Sequence, residues 1–300
     1  MSAASVSLGN LTIFYETFGK SPKVSSVRGI KMQKFYLWED KTPYFDESFG
    51  QEKPNLTPFI ADRAENGEKT GCVIVCPGGS YYIRADHEGD PVCQFFNKFG
   101  ISAFTLAYRL HPYDLDSIMG DVKRAVRWVR YHADEFGIDP EKIAVLGFSA
   151  GGNLATLGAT QYDYGMENGD EIDRVSSRPN AALLCYAVSS LTDELTHEAS
   201  RNVLLRNYDK ELQKELAVKL SGENSIREDT PPMFLWHTAE DTCVLPENSI
   251  RMATALSSKK IPFELHIFPD GGHGLGLAED VAGTREWAPL AADWLKRLGF

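Results

Sequence analysis

The sequence predicts an α/β fold with a mostly parallel central sheet that is covered by helices on both faces. From about residue 71 onward, short continuous apolar runs alternate with longer amphipathic segments. Runs of this kind are typical of strands buried on both faces, and their alternation with helices implies right-handed crossovers between parallel strands. Neither an internal repeat nor a low-complexity segment occurs in the sequence.

Six strands are expected from the apolar runs, at residues 72–76, 101–107, 142–146, 181–187, 233–236 and 263–268. Pro77-Gly78-Gly79 ends the first run, CVIVC. Helices are expected at residues 91–99, 118–136, 154–159, 247–258 and 285–298. In the longest of them, apolar residues recur every three or four positions and form one face.

The regular pattern defines one main domain, residues 71–300, preceded by an N-terminal extension, residues 1–70, that we expect to pack on it. Within the extension, a strand is expected near residues 31–38, and prolines predict an ordered loop over residues 40–60. A charged, helix-prone insertion, residues 189–230, interrupts the main domain. Since α/β sheets bind ligands at the carboxyl ends of their strands, this insertion is either a lid over a site or a solvated helical excursion.

Composition and charge exclude several classes of partner. The 300 residues are 43% hydrophobic and 24% charged, with a net charge of −11 from 42 acidic and 31 basic side chains. A surface this acidic repels phosphate backbones and anionic lipids, which argues against nucleic acid and membranes as partners. The composition is compatible with a neutral or weakly charged small molecule and leaves a homo-oligomer open.

The five cysteines indicate free thiols and a reducing compartment. Their number is odd, and their spacing matches neither a metal site nor a disulfide framework. Cys72 and Cys76 lie in one strand about 13 Å apart, beyond the roughly 7 Å limit for a disulfide. Residues 1–10 lack the basic and apolar regions of a signal peptide, so we expect a cytoplasmic location.

A nucleophile motif follows the third predicted strand of the main domain. Gly147-Phe148-Ser149-Ala150-Gly151 is G-x-S-x-G between a strand and a helix. Glycines two positions before and after the serine leave room for the sharp turn that exposes its hydroxyl. The helix N-terminus behind Ser149 favours developing negative charge. A simple structural turn is the alternative interpretation.

Two later loops supply candidates for a base and its orienting acid. His273, flanked by glycines, follows the last predicted strand and is the candidate base. Glu240 and Asp241 follow the fifth strand, and we prefer Asp241 because the D-x-x-V that follows is similar to the acid loop of serine hydrolases. Glu240 stays open as the competing acid. His237 belongs to the strand end, where a structural role is expected.

An oxyanion hole is expected at the end of the first strand. Acyl transfer develops negative charge on a carbonyl oxygen, which preorganised N–H groups stabilise. Ala150, directly after the nucleophile, offers one backbone N–H, and Gly79 and Ser80 offer two adjacent ones. A strand-ending turn without this role is the alternative for Gly79 and Ser80.

From Gly71 to the C-terminus the chain resembles the α/β-hydrolase family, in its acetyl-esterase or acetylxylan-esterase-like branch. The motifs that carry the resemblance, besides the helix from Asp121 through Arg130, are PGGSYY at 77–82, HEG at 87–89, AYRL at 107–110, GFSAGGNLA at 147–155 and GGHGLGL at 271–277. The branch related to hormone-sensitive lipase has His-Gly-Gly-Gly where this chain has Pro77-Gly78-Gly79-Ser80. Relatives often have glycine at the Ser80 position, so a narrower pocket is expected here.

The resemblance implies a serine esterase without metal or organic cofactor. Ser149 would be the nucleophile, His273 the base, Asp241 the acid, and Gly79, Ser80 and Ala150 the oxyanion donors. Tyr81 and Tyr82 are expected to line the mouth of the cleft, where aromatic rings suit the faces of sugars. The expected substrate is therefore a short-acyl ester, acetyl in particular, on a small molecule or oligosaccharide.

Two other functions remain open. A prolyl-oligopeptidase-type peptidase shares the G-x-S-x-G-G turn, but such enzymes usually carry a large extra domain. A non-catalytic binding protein on a hydrolase scaffold is the alternative outside enzymes, since fold does not determine function. Covalent labelling of the serine by a phosphonate separates the catalytic from the non-catalytic reading.

Overall fold

Two units make up the chain in this computed structural model, which describes residues 4–8, 11–15, 33–62 and 67–300. In the first unit, Met1–Met32, strands β1 (Ala4–Leu8) and β2 (Leu11–Tyr15) pair antiparallel. The second unit, Gln33–Phe300, contains every candidate site residue. The predicted extension is divided between the two units, with residues 1–32 in the first and residues 33–70 in the second. Its residues 1–3, 9–10, 16–32 and 63–66 lie outside the described residues.

An eight-stranded sheet forms the centre of the second unit. Its strands are β3 (Phe35–Tyr36), β4 (Asn55–Phe59), β5 (Thr70–Cys76), β6 (Ser102–Ala107), β7 (Ile138–Phe148), β8 (Ala181–Cys185), β9 (Met233–Thr238) and β10 (Phe263–Phe268). Their order across the sheet is β10-β9-β8-β7-β5-β6-β4-β3. The strands from β10 to β6 are parallel, whereas β4 pairs antiparallel with both β6 and β3.

The α-helices that the structure describes follow the strands in the expected alternation. They are α1 (Asp90–Asn97), α2 (Leu115–Tyr131), α3 (Ala133–Phe136), α4 (Ser149–Thr160), α5 (Glu198–Leu205), α6 (Lys210–Leu220), α7 (Glu247–Ser258) and α8 (Trp287–Arg297). None of the helices in the described ranges is long and apolar enough to cross a membrane. The sheet, its strand order and its flanking helices confirm the predicted fold class.

The central strands of the sheet are buried on both faces. In β5, Cys72, Ile74 and Cys76 face a core that they share with α2 and α4, and Val73 and Val75 face a second core shared with α1 and α8. This alternation explains why the strand reads as an unbroken apolar run. The five cysteines of the chain are all free thiols, and only that of Cys243 is exposed.

The loop predicted over residues 40–60 is wrong in its last part, where β4 forms. Pro58 argued against a strand because proline removes a ladder hydrogen bond. The pairing explains how the strand tolerates it. Among the described residues, β3 pairs only with Asn55 and Leu56, so Pro58 lies beyond the part of β4 that has a neighbour on that side.

The insertion between β8 and β9 contains helices, as its composition indicated. Asp209 caps α6 by accepting hydrogen bonds from the backbone N–H groups of Glu211 and Leu212. The chain returns to the body at Gly222, whose N–H donates to the carbonyl of Ser189 at 2.8 Å. The insertion is therefore tied to the end of β8, on the side of the sheet where the strands terminate.

A buried ion pair anchors the segment that precedes β4. The guanidinium of Arg109 donates to both carboxylate oxygens of Asp121 on α2 and to the carbonyl of Pro43. Both charged side chains are almost completely buried. Since Arg109 also donates to the carbonyl of Ser117 on α2, the pair fixes the loop after β6 against α2.

Candidate active site

Ser149 lies on a sharp turn between β7 and α4. Its φ of 52° is in the left-handed region, which non-glycine residues seldom occupy. Its side chain is nearly buried, with 7% of the residue exposed. As the first residue of α4, Ser149 lies where helix N–H groups without intrahelical partners provide positive potential.

Two glycines make this turn sterically feasible. A Cβ at Gly147 would lie 2.0 Å from the carbonyl oxygen of Gly151, and a Cβ at Gly151 would lie 2.1 Å from the carbonyl oxygen of Cys76. Both distances are far below any tolerated contact. Glycine is therefore required at these positions because backbone meets backbone there, the packing that G-x-S-x-G encodes.

A hydrogen-bonded chain connects Ser149, His273 and Asp241. Asp241 Oδ2 lies 2.7 Å from His273 Nδ1, and His273 Nε2 lies 2.7 Å from Ser149 Oγ. Since an ionised carboxylate only accepts, Nδ1 carries the proton, and Nε2 is free to accept from the serine hydroxyl. The three side chains come from loops after β7, β9 and β10, which end at the same edge of the sheet.

The surroundings of Asp241 keep its carboxyl group ionised. Oδ1 accepts from the backbone N–H groups of Cys243 and Val244, both at 2.9 Å, and Nε2 of His237 lies 3.4 Å from Oδ2. Burial alone would raise the pKa of Asp241. Hydrogen bonds from His237, His273 and Val244 outweigh burial and hold this pKa well below its usual range.

The two adjacent acids are separated clearly in space. The carboxylate of Glu240 accepts from the backbone N–H of Gly271 at 2.9 Å, at the start of the histidine loop. Asp241 alone of the two contacts the imidazole of His273. His237, at the end of β9, is completely buried and hydrogen-bonds Ser249 and Val244. This histidine has the structural role expected for it.

The predicted oxyanion loop lies directly against the nucleophile. A Cβ at Gly78 would lie 3.0 Å from the Cβ of Ser149. Gly79 and Ser80 have φ values of 123° and 57°, so the backbone turns sharply here. Within the described part of the chain, no protein acceptor hydrogen-bonds the N–H of Gly79, Ser80 or Ala150. These three N–H groups are therefore available to a ligand oxygen.

Tyr81 does not line the mouth of a cleft, and this part of the prediction is wrong. Its side chain is completely buried, and its hydroxyl donates to Asn153 Oδ1 on α4 at 2.8 Å. Tyr81 has a φ of 64°, which turns its ring inward and anchors the oxyanion loop on α4. Tyr82 points the other way, with 52% of the residue exposed and its ring centroid 5.0 Å from that of His111.

Three further residues near the site were not predicted. Burial, and then the charge of His273, lower the pKa of His197, which directly precedes α5 in the insertion. Glu88 and Tyr186 are buried next to the oxyanion and histidine loops. The HEG motif was the only sequence signal for Glu88. No grouping of His, Cys, Asp and Glu within the described ranges could hold a metal ion.

Comparison with known proteins identifies related sequences. The profile of the BD-FAE family matches residues 60–256. Endo-1,4-beta-xylanase B of Butyrivibrio fibrisolvens is 35% identical over 84% of this chain and 39% of its own length. Acetylxylan esterase of Xylanibacter ruminicola is 29% identical over 75% of this chain and 45% of its own length. The chain thus spans less than half the length of these curated relatives.

Solved structures share the fold over most of this chain. The acetyl ester-xyloside bifunctional hydrolase from Caldicellulosiruptor lactoaceticus has a TM-score of 0.84 and 45% identity, over 89% of this chain and 97% of its own. A thermophilic esterase from Thermogutta terrifontis with bound propionate has a TM-score of 0.71 and 26% identity, over 90% of this chain and 95% of its own.

The separate positions of Asp241 and Glu240 lead to a prediction about the reactivity of Ser149. A fluorophosphonate probe labels a serine whose hydroxyl a neighbouring base activates. Asp241→Asn removes the acceptor that orients His273, so we expect the second-order rate of labelling to fall by at least about 100-fold. Intact-protein mass spectrometry over time measures this rate.

Glu240→Gln is the matched control, because it changes the adjacent carboxylate while leaving the imidazole untouched. Its labelling rate should stay within about threefold of the unmodified protein. Equal losses in both variants would contradict the assignment of Asp241 as the orienting acid.

Proposed function

Because the chain belongs to the BD-FAE family, we propose that it is a serine carboxylesterase that removes short acyl groups, acetyl in particular, from carbohydrate. The observation that carries the proposal is the continuous chain of short hydrogen bonds from Ser149 through His273 to Asp241. Free backbone N–H groups beside the serine complete an arrangement suited to acyl transfer.

The first half of the proposed reaction forms an acyl-enzyme. Ser149 Oγ attacks the ester carbonyl carbon while His273 Nε2 takes the hydroxyl proton. Asp241, whose carboxyl group stays ionised, stabilises the resulting imidazolium. The carbonyl oxygen becomes an oxyanion, which accepts hydrogen bonds from the N–H groups of Gly79, Ser80 and Ala150. Removing one such donor typically costs about 2.7–4 kcal/mol of transition-state stabilisation.

The second half returns the enzyme to its starting state. As the tetrahedral intermediate collapses, the C–O bond to the alcohol breaks and His273 gives its proton to the departing oxygen. Water then enters, and His273 removes a proton from it as the water oxygen attacks the acyl carbon. Collapse of this second intermediate releases the carboxylic acid, and Ser149 recovers its proton from the imidazolium.

A carbohydrate as the alcohol is supported from two directions. Similar proteins bear the names acetylxylan esterase and acetyl ester-xyloside bifunctional hydrolase. Next to the oxyanion loop, the exposed ring of Tyr82 leans on His111, which is hydrogen-bonded to Arg206 of the insertion. A half-exposed aromatic ring beside polar hydrogen-bonding groups suits a sugar, which has apolar C–H faces and a rim of hydroxyls.

A short acyl group is supported by the tightness of the loop that surrounds the nucleophile. Ser80 carries a side chain in a left-handed backbone conformation, at a position where glycine would leave more space. The Thermogutta terrifontis esterase holds propionate in one structure and butyrate in another. An acetyl ester is also uncharged, so the negative charge of this strongly acidic protein does not repel it.

Ser149→Ala tests the nucleophile. Without the hydroxyl no acyl-enzyme forms, so we expect hydrolysis of 4-nitrophenyl acetate to fall below about a thousandth of the wild-type kcat. Ser258→Ala, at the exposed end of α7, is the control and should retain full activity. If Ser149→Ala keeps more than that thousandth while folded, the proposed mechanism is wrong. A folded wild-type protein that neither hydrolyses esters nor reacts with a fluorophosphonate would be a binding protein instead.

The acyl preference is tested with 4-nitrophenyl esters from acetate to octanoate. We expect kcat/KM to be highest for acetate or propionate and to drop by at least about tenfold for octanoate, because a restricted pocket excludes the longer chain. Initial rates at several concentrations of each ester give the values. A maximum at hexanoate or octanoate would contradict the short-acyl proposal.

Tyr82→Ala tests the contact with carbohydrate. Loss of the ring should raise KM for acetylated xylo-oligosaccharides by about 3- to 10-fold and leave KM for 4-nitrophenyl acetate nearly unchanged. Tyr164→Ala removes another exposed ring, on the loop after α4 and at the far end of that helix from Ser149. This control should change neither value. Equal effects of Tyr82→Ala on both substrates would remove the argument for a sugar contact.

A further inference from the structure

A buried carboxylate, Glu88, accepts hydrogen bonds from both sides of the site. The residue is only 2% exposed and lies in the short 3-10 helix Asp86–Glu88. Its Oε2 accepts from the backbone N–H of Gly78 at 2.7 Å, and its Oε1 accepts from the hydroxyl of Tyr186 at 2.6 Å. Gly78 immediately precedes the oxyanion donors. Each oxygen of Glu88 therefore has a defined partner.

Tyr186 extends this connection to the histidine loop. Its hydroxyl oxygen accepts from the backbone N–H of Gly276 at 2.8 Å, three residues after His273. Its ring meets the His273 imidazole edge to face, with centroids 5.0 Å apart. Tyr186 is buried and has a φ of 35°, an uncommon value for a bulky residue. This backbone strain persists because the surrounding contacts hold the ring in place.

His87, the neighbour of Glu88, contacts the histidine loop directly. The ring of His87 hydrogen-bonds the carbonyl of Gly274 at 2.9 Å, and a Cβ at Gly276 would lie 2.8 Å from the same ring. The segment that carries Glu88 is thus packed against the loop that carries His273.

We infer that Glu88 is a positioning residue that acts with Tyr186 to hold the oxyanion loop and the His273 loop in a fixed position relative to each other. The inference rests on the proposed esterase function, since it concerns the same site. Glu88 contacts neither Ser149 nor a substrate through the bonds described, so it acts on the reaction through Gly78 and Tyr186. Catalysis by oxyanion stabilisation is sensitive to such placement, because the donors must lie at hydrogen-bond distance from the developing charge.

The charge of Glu88 and its positioning role predict opposite effects of Glu88→Gln on the reaction rate. The Oε2 atom would lie 2.7 Å from a Cβ at Gly78, and that Cβ would lie 3.0 Å from the Cβ of Ser149. A negative charge so near opposes the oxyanion that forms during acyl transfer. If Glu88 mattered only through its charge, Glu88→Gln would accelerate the reaction. If it positions the loop, the same variant slows it.

Glutamine at position 88 cannot reproduce the bonds of the carboxylate. It has one acceptor oxygen, whereas Gly78 and Tyr186 both donate. If the amide N–H₂ faces Gly78, that bond is lost; if it faces Tyr186, the hydroxyl must accept instead of donate, which leaves its own O–H without the carboxylate acceptor. Tyr186→Phe keeps the ring beside His273 and removes only the hydroxyl, which leaves Gly276 without its acceptor. The two variants break the same connection at different points.

The experiment measures kcat and KM for 4-nitrophenyl acetate with Glu88→Gln, Tyr186→Phe and the double variant. We expect kcat to fall by about 10- to 100-fold in each single variant, with KM within about threefold of wild type. The double variant should be no slower than about threefold below the slower single variant, because both changes break one connection. The inhibition constant of a trifluoromethyl ketone, which forms a tetrahedral adduct with serine, should rise in parallel with the loss of kcat.

Matched controls separate positioning from loss of stability. Asp163 lies on the loop beyond the far end of α4. Like Glu88, it accepts from a glycine N–H, that of Gly165, and from a side chain, that of Arg127. Tyr162, on the same loop, is buried and donates to a backbone carbonyl as a structural tyrosine. Asp163→Asn and Tyr162→Phe are expected to lower Tm and to keep kcat of the folded protein within about twofold.

An unchanged or raised kcat in folded Glu88→Gln, or fully multiplicative losses in the double variant, overturns the inference. If Glu88→Gln does not fold, Tyr186→Phe decides alone: a lowered kcat with an unchanged KM supports positioning, and a wild-type kcat overturns it. The Ser149→Ala variant distinguishes this from failure of the proposed function. Activity that survives in Ser149→Ala removes the esterase mechanism itself, whereas its loss there leaves only the role of Glu88 in question.

Discussion

The close backbone contact between Gly151 and the end of β5 is the constraint on which the rest of the candidate active site depends. Because Gly151 has no Cβ, the first turn of α4 approaches the carbonyl oxygens of Cys76 and Pro77 without a clash. This contact brings the strand that ends in the nucleophile and the strand that ends in the oxyanion loop together at one point. The proposed acyl transfer needs this proximity, because Ser149 and the N–H groups of Ala150 and Gly79 would act on a single carbonyl group. A side chain at position 151 would separate them.

The parallel sheet explains why distant parts of the sequence converge on that point. Adjacent parallel strands end at the same edge, so the loops after β5, β7, β9 and β10 meet above it. Two buried hydrogen-bond networks then connect these loops. Asp241 is held by backbone N–H groups and orients His273. Glu88 and Tyr186 connect the loops that carry the oxyanion donors and the histidine. In the proposed reaction, N–H groups and a helix N-terminus would stabilise the oxyanion without a charged side chain at the reacting carbonyl, which suits a neutral ester.

Most of the fold was predictable because its strands are buried on both faces and its helices are amphipathic. The predicted bounds of α7 and β10 agree with those observed. The strand β4 was missed because Pro58 is a poor strand residue unless one side of the strand lacks a neighbour, and only pairing reveals that. The positions of Ser149 and His273 were predictable for a related reason. Their glycine neighbours mark sharp turns, and such turns leave a pattern in the local sequence.

Spacing and residue type were enough to determine the α/β class, the nucleophile turn and the order of serine, acid and histidine, because each follows from local backbone requirements. Local backbone requirements could not decide which of two adjacent residues has which role. Glu240 and Asp241 differ by one position, yet only Asp241 contacts His273, and of the neighbours Tyr81 and Tyr82 one is buried and the other exposed. Side-chain direction depends on the left-handed turns and on partners contributed by other strands. For the same reason Glu88 could be recognised as a positioning candidate only in the folded chain. There Gly78 and Tyr186, from two different loops, both donate to its carboxylate.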